Sequence, residues 1–115
     1  MTCGGNDMNG CLLRFYMHEN QRHRDLPLHE WLLEQAKRQG LRGGSAFRAI
    51  AGFGRHGVLQ EQHFFELAGE STVLVEFIAS DAEAEALLTL AREDGAALFY
   101  ARFAAEFGVL SRPPA

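Results

Sequence analysis

The chain has 115 residues, 47% of them hydrophobic and 23% charged, which suits one compact domain and leaves too little chain for a second. Its 15 acidic side chains against 11 basic ones give a formal net charge of -4, the opposite of the basic surplus a general nucleic-acid binder carries. No apolar run is long enough to span a bilayer, and the opening MTCGGNDMNG lacks the basic start and apolar stretch of a signal peptide, so the expected location is the cytoplasm.

Residues 1–10 are polar and glycine-rich and are expected to form a flexible leader, with Met8 a second candidate start. Cys3 and Cys11 have no spacing that marks a zinc site or a disulfide framework, which suits a reducing interior. Leu12–Met17 (LLRFYM) alternates and reads as a first strand, with Leu13, Phe15 and Met17 on one side and Leu12, Arg14 and Tyr16 on the other. A charged loop, HENQRHRD, follows. Leu28–Gln39 carries Leu28, Trp31, Leu32, Gln35 and Ala36 at helical spacing, with Pro27 near its start and Gly40 past its end. Ser45–Phe53 reads as a second strand, with Phe47, Ala49, Ala51 and Phe53 on one face and Ala46, Arg48 and Ile50 on the other. Between Val58 and Ser71 the pattern fits either an extended hairpin or a loop. Thr72–Ile78 is a third strand, rich in β-branched and apolar residues. Ser80–Glu93 is a second helix, opened by the capping box Ser80/Glu83 and buried through Ala84, Leu87, Leu88 and Ala91. Asp94 and Gly95 end it, Ala97–Phe103 is a fourth strand, and residues 108–115 form a tail.

The order β-α-β-β-α-β over residues 11–107 is that of an α+β, ferredoxin-like sandwich: a four-stranded antiparallel sheet with both helices on one face. Arg14, Arg48, Glu76 and Arg102 are expected together on the other face, among apolar neighbours, where a second subunit would pack and pair the charges. Most strand phenylalanines are expected on the helix-packed side, which together with the acidic charge argues against an RNA-binding sheet.

The run AGFGRHG, Ala51–Gly57, is the chemically suggestive stretch. Gly52 and Gly54 flank Phe53 and let a ligand approach the backbone without a Cβ clash. Amides in such a turn form an anion-binding concavity, Arg55 offers a planar fork to phosphate oxygens, and His56 adds a donor whose charge varies near neutral pH. The plain alternative is a strand-ending turn. His18, His23, His29, His56 and His63 have no tight metal-ligand spacing and could converge only between subunits. Glu30 and Glu34 lie one turn apart on a helix and read as solvent charges rather than an acid/base pair, and no nucleophile–base pairing is visible, so no enzyme is expected.

LLRFYMHENQRHRDLPLHEWLLEQAKRQGL, GSAFRAIAGFGRHG and STVLVEFIAS together resemble the small bacterial proteins of domain of unknown function 190, distant relatives of the PII signalling proteins. The resemblance implies a ferredoxin-like homotrimer whose sheets face inward, with adenine-nucleotide clefts (ATP, ADP or AMP) between subunits. It implies that Gly52, Phe53, Gly54, Arg55 and His56 meet phosphate and base, with Gly95 from a second turn. The stretch after Arg55, to about Ser71, would report the bound ligand to a partner such as a membrane transporter. The chain departs from the PII pattern at Ala96, where those proteins place a phosphate-contacting lysine. The alternatives are a structural trimer without nucleotide and a CutA-like metal-binding trimer.

Overall fold

The computed structural model describes residues 8–53, 59–61 and 71–111. Strand β1 runs Met8–His18; two short strands, β2 (Arg22–His23) and β3 (Leu26–Pro27), lead into helix α1 (Leu28–Arg38). Strands β4 (Gly44–Arg48), β5 (Ala51–Phe53), β6 (Leu59–Glu61) and β7 (Thr72–Ala79) follow, then helix α2 (Asp81–Glu93) and strand β8 (Phe99–Phe107). The main sheet has the order β4-β7-β1-β8 with every neighbouring pair antiparallel, the expected α+β ferredoxin-like arrangement. No described helix is long and apolar enough to cross a membrane.

The core lies between this sheet and the helices. Cys11, Leu13, Phe15 and Met17 from β1 and Val73, Val75, Phe77 and Ala79 from β7 meet Leu28, Trp31, Leu32 and Ala36 of α1 and Ala84, Leu87 and Leu88 of α2. These are the stripes that period 2 and period 3.6 select in the sequence. The α2 start is as expected: the Glu83 N–H donates to Ser80 Oγ at 3.1 Å and the Ser80 N–H to Glu83 Oε1 at 2.9 Å. On α1, Glu34 pairs with Arg38 one turn away, at 2.7 Å. Gly44 is required by packing, since a Cβ there would overlap the buried Phe77 ring.

Four details differ from the sequence reading. Strand β1 starts at Met8, so residues 8–10 of the expected leader are in the sheet, because β8 extends far enough to pair Phe107 with Met8. Strand β8 is displaced to Phe99–Phe107; Ala97 and Leu98 serve instead as connection, with Ala96 and Leu98 packed on the core. The expected second strand breaks in two. The Ala49 N–H still reaches the Thr72 carbonyl at 2.9 Å, but β7 begins at Thr72, so further residues have no partner in the main sheet. Ala51–Phe53 pairs instead with Leu59–Glu61 as a separate two-stranded ribbon.

The fourth difference concerns the faces. Arg102 pairs in register with Leu13, and Arg48 with Val73, so both lie on the helix side of the sheet rather than the open side. There Arg102 holds Asp81 at 3.0 Å and also Glu85, both on α2, and Arg48 holds Glu19. The open side carries three rows across the strands. One is Phe47, Leu74, Tyr16 and Phe99; the next is Ser45, Glu76, Arg14 and Ala101; the third includes Ile78, Leu12 and Phe103. Half or more of Phe47, Phe99 and Ile78 is exposed. Phenylalanines thus crowd the open face, contrary to expectation, and the only charges in these rows are the paired Arg14 and Glu76.

Candidate ligand site at one end of the sheet

The ends of β1 and β4 and the starts of β7 and β8 lie at one end of the sheet. The ribbon β5/β6 rises from this end beyond β4. Of the sequence-derived site residues, Gly52 and Phe53 lie on β5, paired with Gln60 and Leu59. Among the described residues no atom lies within 4 Å of a Cβ added at Gly52, and the Phe53 ring is 73% exposed, so neither is committed to the described core. Gly54, Arg55 and His56 lie outside the described residues, as does most of the stretch to Ser71.

Gly95 sits at the same end, in the turn that leads from α2 to β8, the other edge strand. With β7 and β1 between them, the edge strands β4 and β8 stand three inter-strand spacings apart, about 14 Å. Gly95 has φ +76 and donates its N–H to the Arg92 carbonyl at 3.1 Å, while the Ala96 N–H reaches the Ala91 carbonyl at 3.0 Å. This is a helix-ending Schellman-type turn, and it commits both amides to the helix.

The sequence reading sees Glu93 and Asp94 beside Gly95 as unfavourable to phosphate but misses the cations that pair with Asp94. The β2/β3 turn places Arg24 and Asp25 at φ 50 and 66, the two positive values of a primed hairpin turn. Arg24 forks onto Asp94 through Nε at 2.7 Å and Nη2 at 2.9 Å. His23 Nε2 lies 2.7 Å from Asp94 Oδ2, and its ring packs edge-on against Trp31 at 4.4 Å. Asp94 is therefore not a free anion beside Gly95. The Arg24 guanidinium first, then the His23 imidazole, hold its carboxyl down at about 2, against an ordinary value of 3.8. A cleft of about 620 Å³ between the helices is lined by Glu85, Glu93 and Asp94, an acidic wall that disfavours anions.

A carboxyl depressed in the folded state contributes stability that is complete above its unfolded value and disappears as pH falls through the folded one. Asp94→Asn is expected to melt at a lower temperature than the parent near pH 5. The gap should close progressively as pH falls from about 4 to about 2, in thermal melts followed by circular dichroism. A gap that stays constant down to pH 2 would show that the charge of Asp94 contributes nothing.

Among the described residues no group of three or more His, Cys, Asp or Glu side chains could hold a metal ion. Cys11 is buried with a free thiol.

Comparison with known proteins gives the fold a lineage. A curated relative, a UPF0166 protein of Aquifex aeolicus (strain VF5), is 39% identical over 67 residues, covering 58% of this chain and 64% of the relative. The match thus spans somewhat less than two thirds of that relative's length. The chain is similar in structure to a putative PII-like signalling protein of Thermus thermophilus, with TM-score 0.61, 19% identity and coverage of 90% and 94% of the two chains. It is similar to the same degree, TM-score 0.61 at 16% identity and coverage of 90% and 92%, to CPII of Thiomonas intermedia K12, a structure bound to ADP and bicarbonate. The fold is accordingly PII-like. Residues 10–95 match the model of the family DUF190, described as "Uncharacterized ACR, COG1993", and the chain belongs to that family.

Proposed function

We propose that this protein is a cytoplasmic, non-catalytic homotrimer of PII type that senses an adenine nucleotide in clefts between subunits. The observation that carries the reading is the separation of Gly52/Phe53 and Gly95 onto opposite edges of one sheet end. Each edge strand therefore carries one half of the candidate pocket. Neighbouring chains packed through their open faces would bring the β4 edge of one to the β8 edge of the next. The phenylalanine-rich open face supplies the apolar area for that packing. The ADP found on the similarly folded CPII supports the ligand class.

In this reading the phosphates meet the amides of Gly52–Gly54 and the Arg55 fork, and Phe53 packs against the base. Occupancy sets how the segment from Arg55 to Ser71 is presented to a partner, such as a membrane transporter. Calorimetry with ATP, ADP and AMP tests it. Saturable binding to at least one is expected, weakened about 10- to 100-fold in Arg55→Ala, the loss that removing a charge-assisted bond produces. Equal affinity in parent and variant would remove Arg55 from the site.

A second reading is favoured by one observation: Ala96 stands at the lysine position, and the amides of Gly95 and Ala96 are already bonded to the helix end. That describes a structural trimer without nucleotide. Silence across the whole nucleotide panel would select it.

A further inference from the structure

The open face carries apolar rows on either side of a charged centre, with His18 and Thr72 paired at its end. Arg14 on β1 and Glu76 on β7 stand directly opposite each other, Nε to Oε2 at 2.9 Å, with their side chains 35% and 25% exposed. The Arg14 guanidinium also lies over the Phe103 ring, 5.6 Å from its centroid. Their row ends in Ser45 and Ala101, both small, whereas the rows on either side carry Phe47 and Phe99, and Phe103. The pair therefore sits in a polar trough between two apolar ridges. Nε uses one of the five donors of a guanidinium on Glu76, and Glu76 has a second carboxylate oxygen to offer.

We propose that the Arg14–Glu76 pair is the register key of self-association: it fixes how copies of this chain lay their open faces together. The inference rests on the trimer reading above and adds which residues decide the geometry. The three central rows are self-complementary in charge, with one cation and one anion between apolar ridges, so another copy of this chain matches them where a partner of one charge sign would not. Covering the face strips water from both groups. A charge left alone there is costly, whereas a pair, bonded within and between copies, is tolerated and admits one alignment. An entirely apolar face would adhere in many alignments.

The experiment is a mutant cycle on the full chain, read as association constants by sedimentation equilibrium. Circular dichroism at high dilution reports the folded state of each variant. Arg14→Met and Glu76→Leu are each expected to weaken association about 100-fold. The double variant Arg14→Met/Glu76→Leu should recover to within about 10-fold of the parent, yet sediment as several oligomer sizes instead of one. Single variants that associate like the parent would overturn the inference, as would a double variant as weak as the two losses combined. So would a single variant that loses its fold even when diluted to monomer, since the pair would then act within the chain. A parent protein that stays monomeric at about 100 μM would instead overturn the trimer reading itself, and this inference with it.

Discussion

Phe15→Ala is expected to lower the unfolding free energy by about 3–5 kcal/mol, the cost of removing a buried aromatic and leaving a cavity. Phe15 is 1% exposed, meets Phe77 edge-on at 6.0 Å and lies 6.3 Å from the Tyr100 ring. Its ring ties the neighbouring strands β7 and β8 to each other through aromatic contact across β1. A domain of this size is stable by only about 5–15 kcal/mol, so the variant should lose a fifth or more of its stability. Urea titration at fixed protein concentration measures it, with Phe15→Leu as a control expected to cost less than half as much. A loss below about 1 kcal/mol for the alanine variant would mean that the core collapses around the gap, and that the packing is looser than the burial indicates.

Phe103→Asp is expected to abolish assembly while leaving the fold intact. The ring is 47% exposed in the single chain, so a carboxylate there is tolerated by the monomer. Once a second copy covers it, the same carboxylate is buried against apolar side chains, at a cost of several kcal/mol in every contact. Light scattering behind size exclusion at about 50 μM should show a trimer for the parent and for Phe103→Leu, and a monomer for Phe103→Asp. A trimeric aspartate variant would place the interface on another surface.

The helices were legible because their signals are local. Ser80 and Glu83 announce the start of α2, and Leu28, Trp31, Leu32 and Ala36 lie on the α1 stripe that periodicity selects. Strand parity was legible too, but only in part. It sorts residues within one strand into two sets, and the pairing with the neighbouring strand decides which set meets the helices. Arg102 illustrates this: nothing in ALFYARF says that it will stand opposite Leu13, beneath Asp81 and Glu85. The break after Arg48 was hidden for a related reason, since it depends on where β7 begins, not on the sequence of β4 itself. At the candidate site, Gly52, Phe53 and Gly95 could be picked out by residue type. The Arg24–His23–Asp94 cluster could not, because it joins residues about 70 positions apart, and Asp94 alone reads as a helix stop.

The position of β1 in the sheet also has a consequence for biosynthesis. It is the first strand made, yet its two neighbours are β7 and β8, the last two. At about 5–20 residues per second, the ribosome takes roughly 5–20 s to supply both, and until then the alternating apolar strand has two unsatisfied edges. The pairing of β1 is complete only once β8 has been made. Until β8 has been made, nascent chains can meet one another with an adhesive strand edge still open.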